Sequence, residues 1–208
     1  RVCSIGKQHA LILNKYPVQL GHMLLITKKW APQNGWLTIE DIKALEIVQS
    51  DTSGLWFFNS CPTSGASQPH RHLQLLRRSL EEPICPRANW FDNYLNNKLE
   101  VNHSLSYGTH VIRLFNDIFK AELIYLKYLE CCKKMGIGNP LINSFPNYPY
   151  NLLICKDWIA LIKRSRDEVN GISVNALGFA GYLLATKESQ IKWIDINGPE
   201  NLLEKVIN

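Results

Sequence analysis

Residues 59–76 constrain this chain more than any other stretch: Asn59-Ser60-Cys61-Pro62-Thr63-Ser64-Gly65-Ala66-Ser67-Gln68-Pro69-His70-Arg71-His72-Leu73-Gln74-Leu75-Leu76. Ser64-Gly65-Ala66-Ser67 has almost no side-chain bulk, so a ligand can approach its backbone N–H groups closely. Pro69 stiffens the exit from that turn. From His70 the pattern has period 2, and side chains two apart on a strand share a face. The spacing predicts a strand with His70, His72 and Gln74 on one side and Arg71, Leu73 and Leu75 on the other. Imidazole is a good nucleophile near neutral pH, and a strand holds it rigidly. A glutamine amide on the same face donates to a phosphoryl oxygen but cannot act as a general acid. Behind a small-residue turn, this row suits transfer of a phosphorus-bearing group through a covalent histidine. Taken alone, HxHxQ is equally a strand with two half-buried polar histidines. The turn in front of it favours chemistry.

The rest of the chain reads as the scaffold for that strand. Residues 8–30 predict a β-hairpin: His9–Asn14, a turn through Pro17 to Gly21, and a return strand His22–Lys28. Residues 38–50 predict an amphipathic helix, with Thr38 as cap, Asp41 three residues on, and Ile39, Ile42, Leu45 and Val48 as its core stripe. Gly54–Asn59 reads as a buried strand leading into the reactive turn. Residues 79–110 are punctuated by Pro83, Pro86 and several asparagines, and read as a surface excursion lying across a cleft, with lone histidines at His103 and His110. Thr109–Leu114 reads as a strand. Residues 115–135 read as a helix carrying Ile118, Leu123, Leu126 and Leu129, stopped at Gly136-Ile137-Gly138-Asn139-Pro140. Residues 150–164 form a second strand–turn–strand around Lys156-Asp157. Residues 171–181, Gly-Ile-Ser-Val-Asn-Ala-Leu-Gly-Phe-Ala-Gly, suit close packing or ligand approach, and Glu188–Val206 reads as a polar, exposed helix pair broken at Gly198-Pro199. Two hairpins and intervening helices predict one α+β unit: a mainly antiparallel sheet with helices packed on one face.

Composition limits the function classes. At 208 residues, 46% hydrophobic and 20% charged, the chain can bury a substantial core as one domain. No apolar run approaches the roughly 20 residues of a membrane helix, so no membrane partner is expected. The net charge of +5 is mild, and beyond short runs such as Arg77-Arg78 and Lys163-Arg164-Ser165-Arg166 no element concentrates basic residues, so no nucleic-acid partner is expected. None of the six cysteines forms C-x-x-C, and Cys131 and Cys132 are adjacent. This argues against a zinc knuckle or a regular disulfide framework and for reduced thiols in a cytoplasmic protein.

Residues 59–76 resemble the active-site segment of the histidine triad superfamily, in the branch with glutamine in place of the third histidine. Within that branch, Gly65-Ala66-Ser67-Gln68-Pro69-His70, a basic residue, then His72-Leu73-Gln74 looks like the diadenosine tetraphosphate phosphorylases (ATP adenylyltransferases). Asn14-Lys15 and Gly21-His22 match the superfamily's first hairpin, and the 171–181 segment follows a hairpin and basic residues in the family's order. The related uridylyltransferases often carry zinc on paired cysteines, which are missing here. The resemblance implies a single histidine-triad-like nucleotidyltransferase domain over 1–208, with the reactive motif in an N-terminal half to about residue 115 and a C-terminal half from about 116. It also implies that further residues precede Arg1. By resemblance, His72 carries AMP, Ser67 and Gln74 contact phosphates, Asn59 supports the loop, Lys15 approaches the polyphosphate, and Asn14 approaches the ribose or phosphate region. One departure is Cys61-Pro62, where the family has a glycine soon after the asparagine.

The expected reaction is reversible phosphorolysis of diadenosine tetraphosphate to ATP and ADP, with phosphate as acceptor and AMP–histidine as intermediate. Backbone N–H groups of Ser64, Gly65, Ala66 and Ser67, with Lys15 and Gln74, would stabilise the transferring group, and the His70 carbonyl would hold the other ring nitrogen of His72. The expected cation is Mg2+ bound through substrate phosphates, with no protein metal site. Two alternatives are a hydrolase of the same superfamily, against which Gln74 argues, and a non-catalytic nucleotide-binding module.

Overall fold

The apolar runs at the two ends of the chain become hairpins of one sheet. A computed structural model describes residues 3–79, 81–98, 103–114 and 119–208, with backbone alone at His103 and Ser104. The elements run β1 (Cys3–Ile5), β2 (His9–Leu13), β3 (Met23–Thr27), α1 (Ile39–Asp51), β4 (Gly54–Asn59), β5 (His72–Arg77), α2 (Ala88–Leu95), α3 (His103–Gly108), β6 (Thr109–Arg113) and α4 (Ala121–Lys134). They continue with β7 (Tyr150–Ile154), β8 (Trp158–Lys163), β9 (Glu168–Val169), β10 (Ile172–Ser173), α5 (Ala176–Ala180), α6 (Glu188–Asn197) and α7 (Pro199–Lys205). Eight strands form one antiparallel sheet in the order β1-β2-β3-β5-β4-β7-β8-β6, and β9 pairs with β10 apart from it. The first hairpin joins the second through β5 and β4.

The α+β class and the antiparallel sheet agree with expectation; helices on one face only do not. All six residues of β4 are buried, and they alternate between two cores. Trp56 and Phe58 pack with α1 and α4, while Leu55 and Phe57 pack with α2, α5 and α7. Neighbouring strand side chains point to opposite faces, so a strand without polar alternation needs cover on both. Gly54-Leu55-Trp56-Phe57-Phe58 and Leu152-Leu153-Ile154 are such strands, and that signal was present in the sequence.

Helix α1 forms as its sequence predicts. Thr38 accepts from the Asp41 N–H while Asp41 accepts from the Thr38 N–H, closing a capping box. Ile42, Leu45 and Val48 face the core. Asp41 does more than cap. Its carboxylate is buried and accepts from the His9 ring at 2.8 Å and from Arg71 at 3.1 Å. Burial alone would raise this carboxyl, but the His9 bond, the Arg71 charge and the Thr38 bonds outweigh it and hold it below the usual value.

The described residues between 79 and 110 are not a loose excursion. Helix α2 inserts Phe91, whose ring stacks on Trp158 with centroids 4.2 Å apart, and β6 closes the sheet edge on β8. The asparagines that obscured α2 lie on its exposed side and at its end, while its aromatic residues form the packed face. The side chain of His103 lies outside the described residues, as does Ile118. Helix α4 starts at Ala121, and its core stripe is Ala121, Ile124, Tyr128, Cys131 and Cys132, whereas Leu126 is exposed. The final helix pair is found, but α7 buries Leu202 and Leu203 rather than standing in solvent. No described helix is long and apolar enough to cross a membrane.

Candidate active site

The stretch after β4 folds as a tight turn stitched to the C-terminal half. A short 3-10 turn over Pro62–Ser64 ends in Gly65 at φ +88°. Asn59 Oδ1 accepts from Asn151 Nδ2 at 2.8 Å and from the Ala176 N–H at 2.9 Å. The same Asn151 amide donates to the Ser64 carbonyl at 2.8 Å, and Asn151 Oδ1 accepts from Arg164 Nη1 at 2.6 Å. Arg164 also donates to the carbonyls of Val174, Arg166 and Val206. Its guanidinium is 1% exposed, and burial pushes it down to about 10, opposed by the Asp167 charge. The Asn59 side chain therefore ties the end of β4 to β7 and α5, and its amide oxygen is committed inside the protein.

The anion cradle expected at Ser64–Ser67 is narrower than its sequence suggests. Ser64 is fully buried, and its hydroxyl bonds to the Cys61 backbone. The N–H groups of Ser64, Gly65 and Ala66 donate to the carbonyls of Cys61, Pro62 and Cys61. A 3-10 turn consumes its own donors, so these three are not free to receive a phosphate oxygen. Ser67 lies exposed beyond the turn. The small residues serve another purpose: a Cβ on Gly65 would stand 2.6 Å from Asn175 Cβ. Gly65→Ala should therefore cost about 1–3 kcal/mol through the left-handed backbone and this clash, read as a fall in unfolding free energy in urea.

The reactive strand β5 begins at His72, so His70 stands outside it, in an isolated bridge with Pro32, with its ring on Thr27 Oγ1 at 2.9 Å. His72 Nδ1 lies 2.8 Å from the His70 carbonyl. A carbonyl can only accept, so Nδ1 carries the proton and Nε2 keeps its lone pair. Burial lowers the basicity of His72 below the ordinary 6.5; the His70 bond acts the other way, and the nearby His70 and Arg71 charges add to the lowering. A neutral imidazole with a free Nε2 is a nucleophile.

Gln74 and Leu76 share the His72 face, and Gln74 is oriented from the first hairpin. His22 Nδ1 accepts from the Val18 N–H at 3.3 Å, which leaves Nε2–H to donate to Gln74 Oε1 at 3.0 Å. With its oxygen engaged, the Gln74 amide keeps its NH2 for a ligand. Asn14 Nδ2 lies 3.2 Å from His22 Nδ1, and Asn14 Oδ1 accepts from the Tyr16 N–H. Asn14 thus holds His22, and Lys15 at the hairpin tip is exposed, its ammonium 5.3 Å from the Tyr16 ring.

A cleft of about 750 Å3 opens between this hairpin tip and the C-terminal half. Tyr16, Pro17 and Val18 form one wall; Asn175, Tyr182 and Leu183 are among the residues of the other. Val18 reaches Gln74 through His22, and Asn175 abuts Gly65, so both walls are tied to the reactive segment. Among the described residues that line it there is no carboxylate.

Two residues here, Gln33 and Asn151, have no site role expected from the sequence, and Arg164 enters it only within a basic cluster. Gln33, from the turn-like Pro32-Gln33-Asn34-Gly35, is buried against His72. Asn151 looks like an ordinary strand residue, and Arg164 like part of a basic surface run. Asn175 caps α5 through the Leu177 N–H.

Comparison with known proteins gives a consistent picture. The family model described as Ap4A phosphorylase N-terminal domain matches residues 1–87, and that described as ATP adenylyltransferase C-terminal domain matches residues 103–207. The chain is 28% identical to Protein APA1 of Saccharomyces cerevisiae, over 89% of this chain and 64% of that protein. It is 24% identical to diadenosine 5',5'''-P1,P4-tetraphosphate phosphorylase 2 of the same yeast, with the same coverage. The chain thus spans a little under two thirds of the length of these curated relatives. Crystal structures of yeast Ap4A phosphorylase Apa2 share its fold: the AMP complex superposes with a TM-score of 0.75 at 23% identity, over 97% of this chain and 73% of that one. The Ap4A complex gives 0.73 at 23% identity, over 96% and 73%.

Proposed function

Because the chain belongs to the ATP adenylyltransferase family, which includes the Ap4A phosphorylases, we propose that it is a nucleotidyltransferase that cleaves diadenosine tetraphosphate with phosphate to ATP and ADP. One observation carries the reading: His72 Nδ1–H is held on the His70 carbonyl, so a neutral Nε2 is free beside the Gln74 amide. His72 Nε2 attacks the α-phosphorus of one adenylyl unit. The bond to the bridging oxygen breaks, ATP leaves, and AMP stays on the imidazole. A phosphate oxygen then displaces the imidazole and yields ADP. The Gln74 NH2 and Lys15 meet charge on the transferring group and the leaving polyphosphate. Gln74 cannot give a proton to the leaving group, which suits departure of a polyphosphate that is already a stable anion. The nucleoside lies in the cleft between Tyr16 and Tyr182, where aromatic walls suit a base. A Mg2+ ion would be held through the substrate phosphates and would neutralise charge on them. The proposed compartment is the cytoplasm.

The test is intact mass after incubation with diadenosine tetraphosphate and Mg2+, first without phosphate. The protein is expected to gain one AMP and to release it as ADP once phosphate is added. An adduct that decays to AMP in water, indifferent to phosphate, would overturn phosphorolysis in favour of hydrolysis, and no adduct would overturn covalent catalysis. The pH dependence has a definite sign. His72 is lowered below 6.5, so the rate of adduct formation should fall as the ring protonates, with its midpoint below pH 6.5 and not above it.

A further inference from the structure

We infer that Gln33 is the positioning residue for His72, holding the nucleophile's main chain on the side where strand β4 lets go, while β3 still pairs with it on the other. This rests on the reading of His72 as the group that takes up the adenylyl unit. Strands β4 and β5 pair as Gly54↔Arg77, Leu55↔Leu76, Trp56↔Leu75 and Phe57↔Gln74. Two residues further, the same register would place Asn59 opposite His72. The ladder stops short of that pair, and the Gln33 side chain occupies the gap. Its Oε1 accepts from the His72 N–H at 2.8 Å; its Nε2 donates to the Asn59 carbonyl at 2.7 Å and to the His72 carbonyl at 3.2 Å. One primary amide thus stands in for a piece of backbone between the end of β4 and the start of β5.

The segment carrying Gln33 is itself fixed to the strand it serves. The Gln33 N–H donates to the Pro69 carbonyl, and the Arg71 N–H donates to the Ala31 carbonyl, each at 2.8 Å. These bonds bracket His70, whose carbonyl holds the His72 ring. Arg71, pointing to the other face, donates to the carbonyls of Pro32 and Trp36 and to Asp41 of α1. Both ends of the geometry that points Nε2, the His72 main chain and the His70 carbonyl, therefore rest on residues 31–36. Gln33 is 3% exposed, and its amide oxygen and nitrogen are both spent on main-chain groups of His72 and Asn59. Its effect passes through the main chains of His72 and Asn59.

Gln33→Met tests this, because methionine nearly preserves length and volume and removes every polar contact. Two readouts are taken on the full chain: the single-turnover rate of AMP transfer from diadenosine tetraphosphate to His72, and hydrogen exchange at the His72 amide. The variant is expected to transfer AMP about 10- to 100-fold more slowly, since displacements of about an ångström cost that much, with its Kd for AMP within about two-fold of wild type. Its His72 amide should exchange at least about ten-fold faster relative to Leu73. Wild-type rate, or unchanged His72 amide protection, would overturn the inference. A rate loss matched by an equal loss of AMP affinity would also overturn it, as general loosening. If the wild type forms no adduct, the proposed function fails, and amide exchange still decides whether Gln33 holds His72. Should the methionine variant not fold, Gln33→Glu keeps the acceptor for the His72 N–H and loses the donor to Asn59. A slower transfer at unchanged AMP affinity is again expected, and wild-type transfer again overturns the inference.

Discussion

His72→Ala is expected to abolish the AMP adduct and to slow phosphate-dependent release of ATP from diadenosine tetraphosphate by more than about 10^3-fold. The substitution removes the only group on that strand face with a free lone pair of sufficient nucleophilicity; Gln74 offers an amide. Binding should survive. His72 is nearly buried, and the cleft walls at Tyr16 and Tyr182 are untouched, so the Kd for AMP should stay near that of the wild type. The fold should survive too, at a cost of about 1 kcal/mol for the His70 carbonyl that loses its partner. Intact mass and a coupled ATP assay decide the matter. Retained phosphate-dependent turnover in the alanine variant would remove His72 from the mechanism, whatever the wild-type adduct looks like.

Arg164→Met is expected to lower the unfolding free energy by about 3–5 kcal/mol, read from urea denaturation at neutral pH. Methionine relieves the cost of burying a cation, which works in the variant's favour. The opposing loss is larger. Asn151 Oδ1 and the Val174 carbonyl lose charge-assisted donors at 2.6 and 2.8 Å and stay buried, at about 1–3 kcal/mol apiece, and the Arg166 carbonyl, on an exposed residue, loses its donor at 2.7 Å at a smaller cost. Arg164→Lys should not rescue it, because one ammonium cannot reach acceptors arranged around a planar fork. An unfolding free energy within about 1 kcal/mol of wild type would show that the network is not what holds the reactive turn.

The reactive strand was legible because its chemistry is local. Period-2 spacing put His72 and Gln74 on one face, and the His70 carbonyl was within reach by chain connectivity alone. Helix α1 was legible for the same reason, down to Thr38 and Asp41 as a capping pair. What stayed hidden is long-range. Nothing around Gln33 distinguishes it from a turn glutamine, since its partners Asn59 and His72 lie 26 and 39 residues away. Asn151 and Arg164 take their meaning from contacts that no window of sequence contains. The small residues at 64–66 were read as a phosphate cradle because they leave the backbone bare. The structure spends those donors within the turn and uses the missing bulk to admit Asn175. Helix α2 was lost because asparagines masked the spacing of Trp90, Phe91 and Tyr94.

The pairing of β4 with β7 has a consequence for how this protein comes to be active. The two hairpins join partners close in sequence, so their loops close at small entropic cost. The seam between them is different: the Asn151–Asn59 bond joins residues 92 apart, and the Ala176–Asn59 bond joins residues 117 apart. Contacts of such separation reward the chain only after most of its conformational freedom has been surrendered. The turn behind His72 is pinned by those bonds. A nascent chain holding all of residues 59–76 therefore has the nucleophile but not its setting, and competence arrives with the last long-range docking step rather than with the motif.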